Sequence, residues 1–102
     1  MAIYHVTPTR NHISIRQTGI DPLLSRSPFK ASWYVTSEKL AWAMAHCSVR
    51  YNIPVSALEV WFLPNGDLDG KTRSRWPGIF YTHRTIHPVA FLSAEEALEE
   101  LK

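Results

Sequence analysis

Ala31-Ser32-Trp33-Tyr34-Val35-Thr36 followed by Ser37 and Glu38 sets a short strand directly before the strongest helix of the chain. Trp, Tyr and Val favour extended backbone, because bulky side chains pack well on a pleated surface. Ser37 is placed to cap a helix running from Glu38 to about Arg50, with Glu38 in its first turn and Arg50 in its last, both suited to the helix dipole. Leu40, Met44, Cys47 and Tyr51 recur at helical spacing and predict one apolar face; Trp42, His46 and Arg50 form a second, more polar one.

The same pairing of strand and helix opens the chain. Ile3 to Thr7 reads as a strand, with His5 and Thr7 on one face and Tyr4 and Val6 on the other. Thr7 or Thr9 can cap a helix over residues 9–18, with Ile13 as its expected core contact and Gly19 just past its end. Ile20-Asp21-Pro22 makes a turn, and residues 23–30 read as an exposed basic loop.

Downstream, Leu58 to Leu63 is a hydrophobic strand, Pro64-Asn65-Gly66-Asp67 a turn, and residues 67–77 a second exposed loop with Lys71, Arg73 and Arg75. Ile79 to Tyr81 and Val89 to Leu92 read as strands, and Ser93 with Glu96 forms a capping box for a terminal helix. The order β-α-β-α-β-β-β-α, with short strands and helices grouped early and late, predicts an α+β fold in a single domain over residues 1–102.

Composition agrees with one globular domain. The 102 residues are 45% hydrophobic and 20% charged, with four tryptophans available to a core or a ligand site. The net charge of +2 is uneven: +4 over residues 1–50, +1 over 51–92 and −3 over 93–102. A mildly basic body suits an anionic ligand such as a phosphate ester, and is too weak for duplex DNA by charge alone. Cys47 is the one cysteine, so no internal disulfide can form. The opening residues carry no charged-then-apolar leader pattern and no apolar run reaches 18 residues, so a cytoplasmic protein without membrane association is expected.

Most catalytic patterns are absent. There is no glycine-rich phosphate loop, no GxSxG elbow and no paired cysteines. His83 and His87 stand four apart beside Pro88, outside any helix, so no metal site is expected. Cys47 falls on an apolar helix face and reads as a buried structural thiol. What remains is His5 on the first strand and Tyr34 on the second. An imidazole can hydrogen-bond a ribose hydroxyl, and a tyrosine ring can stack on a planar heterocycle.

The run Tyr4-His5-Val6-Thr7, then Ile13, Gly19-Ile20-Asp21-Pro22, and Trp33-Tyr34-Val35-Thr36-Ser37 leading into Trp42 and Ala43 resembles the ADP-ribosyltransferase superfamily, in particular its small bacterial members. The likeness covers the first half of the chain by motif and the rest by element order. It implies a split, mainly antiparallel β core with short flanking helices and a cleft that takes NAD as substrate. On that reading His5 holds a ribose hydroxyl, Thr7 shapes the same strand edge, and Tyr34 stacks on nicotinamide. Arg10, Arg26 and Lys30 are expected at the pyrophosphate on the ground of charge alone.

The sequence departs from the superfamily in its late region. Many such transferases carry a glutamate there that orients the ribose and steadies the positive centre formed as nicotinamide leaves. Between Val60 and Ala94 this chain has no glutamate, and the corresponding segment reads Thr82-His83-Arg84-Thr85-Ile86-His87-Pro88. His83, Thr85 or His87 is therefore expected to take that role, or transfer is lost. Relatives that move an RNA 2′-phosphate onto NAD also lack the glutamate and rely on Arg and His. Three readings follow: transfer of ADP-ribose to a nucleic-acid or protein acceptor; a non-catalytic module that binds a nucleotide or a protein; and nucleic-acid binding through Lys71-Thr72-Arg73-Ser74-Arg75-Trp76, where basic residues interleave with an aromatic.

Overall fold

A computed structural model of the chain describes residues 3–24, 31–63, 73–88 and 90–100. Six strands form one antiparallel sheet: β1 (Ile3–Pro8), β2 (Ser32–Val35), β3 (Leu58–Leu63), β4 (Arg73–Trp76), β5 (Ile79–Thr82) and β6 (Ala90–Ser93). Among the described residues three α-helices accompany them: α1 (His12–Thr18), α2 (Leu40–Tyr51) and α3 (Ala94–Glu100). The strand order is β4-β5-β2-β1-β3-β6. The α+β class and the antiparallel sheet with short helices are as the sequence predicts.

The sheet is uneven at its centre. β1 pairs with β3 along its whole length, from Ile3 opposite Leu63 to Pro8 opposite Leu58. β2 pairs with β5 from Ser32 opposite Thr82 to Val35 opposite Ile79. Between β1 and β2 the ladder holds a single register pair, Tyr4 opposite Val35. The sheet therefore consists of two well-zipped halves joined at one point.

Each face has its own core, because alternate residues along a strand point to opposite sides. Against one face α2 packs Leu40, Met44 and Cys47 onto Val35, Leu58, Val60 and Ile79, joined by Ala94 and Ala97 of α3. Tyr4 and Val6 pack on this side. On the other face Ile15 of α1 meets Ile3, Ile20, Tyr34 and Trp61. Each fully buried large apolar side chain contributes roughly 1.5–3 kcal/mol, so the two clusters carry the fold.

Several local expectations hold. Gly19 ends α1 with φ 80°, a conformation that glycine adopts without a Cβ penalty. Ser93 and Glu96 cap α3 reciprocally, each side chain accepting from the other's backbone N–H at 3.2 Å. Cys47 is buried.

Others change. The helix register of α1 puts Ile15, not Ile13, against the sheet, and Ile13 is 68% exposed. Ser37 makes no cap: it begins a short 3-10 turn over Ser37–Lys39, and α2 starts at Leu40. Within the region read as an exposed loop, Arg73–Trp76 forms the edge strand β4 on β5, with an irregularity in register between Ser74 and Trp76. Regular alternation of apolar and polar residues is lacking there, so the pairing is set by β5 and not by local pattern.

Candidate functional site

Where β1 and β2 part, a cleft of about 900 Å3 opens. It is bounded by His5 and Thr7 of β1, Trp33 of β2, Asn11 and Ser14 of the α1 region, and the outer face of α2. A cleft of this volume is sufficient for a nucleotide-sized ligand.

His5 stands at the point of parting. Its Nδ1 lies 2.8 Å from the carbonyl oxygen of Trp33, so Nδ1–H donates and the side chain supplies a donor where the backbone ladder lapses. Burial lowers the imidazole's pKa below 6.5, opposed by the bond to Trp33. The neutral ring with its proton on Nδ1 leaves Nε2 as a hydrogen-bond acceptor. The adjacent Thr7 is 4% exposed, and its hydroxyl accepts from Asn11 Nδ2 at 3.0 Å.

The wall opposite is α2. Trp42, His46 and Arg50, the polar stripe visible in the sequence, all line the cleft. Trp42 and His46 stack, with ring centroids 5.1 Å apart and planes 14° from parallel. Lys39 and Arg50 bring two cations to the lining, and Trp76 adds a further aromatic residue. Among the described lining residues the carboxylate is Asp21, whose Oδ1 accepts the Leu23 N–H at 2.9 Å. The cleft is thus aromatic and cationic, a combination that receives planar rings and anions together.

Of the residues singled out from sequence, His5 and Thr7 come together in this cleft. Tyr34 does not. It has no exposed surface, packs in the core with Ile3, Ile15 and Trp61, and rests 5.4 Å from the His5 ring. Its hydroxyl accepts from Ser32 Oγ at 3.5 Å, and burial pushes its pKa to about 12. Strand alternation explains the outcome: Trp33 and Tyr34 point to opposite faces, and the Trp33 ring is the one at the cleft.

Arg10 lies with its guanidinium 5.6 Å from the Tyr51 ring centre and does not line the cleft. Arg26 and Lys30 lie outside the described residues, as do Lys71 and Thr72 of the basic loop. His83 sits edge-on to Tyr81 at 5.9 Å, Thr85 is exposed, and His87 borders a separate cavity. The bridge between Ile20 and Ile86 ties the late segment by two backbone bonds to the residues just past α1, and none of His83, Thr85 and His87 lines the cleft.

Sequence reading missed Lys39 and left Trp33, Trp42, His46 and Arg50 without a role. The helical spacing of the last three was the available signal. It also missed a buried Glu59 whose carboxylate receives His12 Nδ1 at 3.0 Å and Trp61 Nε1 at 3.0 Å. Comparison with protein-family models, curated proteins and solved structures returned no match. No group of three or more metal-ligating side chains occurs among the described residues, and no helix among them is long and apolar enough to cross a membrane.

Proposed function

We propose that this chain is an ADP-ribosyltransferase-like domain that takes NAD in the cleft between its half-sheets and transfers ADP-ribose to an acceptor. The observation that carries the reading is the His5–Trp33 bond at the split, which leaves the imidazole Nε2 as an acceptor on the cleft lining. A ribose hydroxyl is a donor of suitable chemistry for that nitrogen. Trp33 and Trp42 offer rings for stacking on adenine or nicotinamide, the part first expected of Tyr34. Lys39 and Arg50 supply positive charge for the pyrophosphate, the part first expected of Arg10. In the reaction the ribosyl–nicotinamide bond breaks, and an acceptor nucleophile takes the ribosyl carbon and gives up its proton.

A second reading is favoured by the chemistry of the lining. Asp21 is its carboxylate among the described residues, already engaged in a turn, and no glutamate reaches the cleft. A module that binds NAD or a related nucleotide without turning it over would have this composition.

One experiment separates the two. Thermal unfolding is followed with and without millimolar NAD, and free nicotinamide is assayed in the same samples. Stabilisation with nicotinamide release supports transfer, stabilisation alone supports the binding module, and no shift in melting temperature overturns both.

A further inference from the structure

A second cavity, of about 440 Å3, shares Ile15 with the cleft and is otherwise lined by Arg16, Trp61, His87, Pro88, Ala90 and Phe91. Trp61 is 4% exposed, and its indole N–H donates to Glu59, a carboxylate buried in an interior strand. Burying that carboxylate is costly unless donors meet it, and His12 supplies a second, with Nδ1 3.0 Å and 3.1 Å from its two oxygens. The His12 ring packs 5.3 Å from Trp61 and edge-on to Phe91 at 4.5 Å, while Trp61 and Phe91 are 5.0 Å apart. Glu59 and His12 thus fix an aromatic wall.

Two donor-bearing side chains from distant parts of the chain meet that wall. Arg16 comes from α1. His87 is delivered by the Ile20–Ile86 bridge, and its ring lies over Gly19, where an added Cβ would stand 2.9 Å from Nδ1. The missing side chain at Gly19 makes that placement possible. No carboxylate is among the described lining residues.

We propose that this cavity binds a small aromatic carboxylate. The guanidinium of Arg16 takes the carboxylate through its paired N–H groups, His87 adds a third donor, and the ligand ring rests on Phe91, which is 43% exposed and backed by the buried Trp61. Glu59 and His12 act as positioning residues for that wall. The proposal does not depend on NAD occupying the cleft.

Benzoate is the probe, titrated into the full chain by calorimetry and by NMR of the Trp61 indole N–H. Saturable binding with a shift of that signal is expected, unchanged when NAD is present. Arg16 is exposed, so R16A should fold, and it should weaken binding by about tenfold or more. H87A should weaken it by a smaller factor, and cyclohexanecarboxylate should bind several-fold more weakly than benzoate. Absence of saturable binding, equal affinity in R16A, equal affinity for cyclohexanecarboxylate, or displacement of benzoate by NAD would each overturn the proposal.

Discussion

The imidazole of His5 reaches across the gap between two half-sheets and donates to the carbonyl of Trp33 at 2.8 Å. One side chain thereby bridges a place where the backbone ladder has stopped at Tyr4 and Val35. This relationship makes the first prediction one of pH dependence. Burial holds the folded His5 below its ordinary value of 6.5, so the unfolded chain takes up the proton first as pH falls. The stability from the neutral ring is fully present above about pH 6.5 and is lost as pH falls from there toward the folded value. H5Q, which keeps a donor for Trp33 but cannot titrate, should show a shallower acid limb in melting temperature than the parent. Parallel limbs would mean that His5 is not the group responsible.

Tyr34 separates a structural from a chemical role. Y34A should destabilise the fold by about 3–5 kcal/mol, since a fully buried aromatic leaves a cavity. Y34F should cost about 1 kcal/mol or less, because the bond to Ser32 is long at 3.5 Å. Denaturant titration measures both. If Y34F left the fold intact but abolished nicotinamide release, the hydroxyl would belong to the chemistry after all.

Trp42 is half exposed on the cleft wall, so W42A should leave the melting temperature of the free protein nearly unchanged. NAD affinity in W42A should fall by about tenfold, the worth of one stacked ring. Calorimetry against NAD, with the parent as reference, reads this directly.

Cys47 should be chemically silent in the native state. Burial raises its thiol to about 11, against the lowering influence of Arg50 and Arg10, so little thiolate exists at neutral pH. A disulfide reagent should label it slowly in buffer and rapidly in denaturant. Fast native labelling would show that α2 opens.

The Glu59–His12 contact predicts a measurable stability effect away from the cleft. H12A removes one of the donors to a carboxylate that is 4% exposed and should cost about 1–3 kcal/mol. E59Q, which keeps an acceptor for the Trp61 indole, should cost less. An unfolding series in denaturant on both variants tests the order.

From residue order come most of the element types, the two faces of β1, the apolar stripe of α2, the Gly19 end of α1 and the cap of α3, but not the strand β4, and neither Thr7 nor Thr9 caps α1. Each depends on neighbours within a turn or a strand repeat, and such local periodicity is written in residue order. The polar stripe Trp42, His46, Arg50 was equally legible, though its partner across the cleft was not. Tertiary structure alone decided the rest. Ile15 displaced Ile13 as the core residue because α1 docks in one rotation about its axis. Strand alternation puts Trp33 and Tyr34 on opposite faces, and what packs against each face decided that Trp33 lines the cleft and Tyr34 enters the core. His87 borders the same cavity as Arg16 because the Ile20–Ile86 bridge ties together segments more than sixty residues apart in sequence. Such pairings arise from long-range backbone hydrogen bonds and burial, to which no spacing between neighbouring residues gives access.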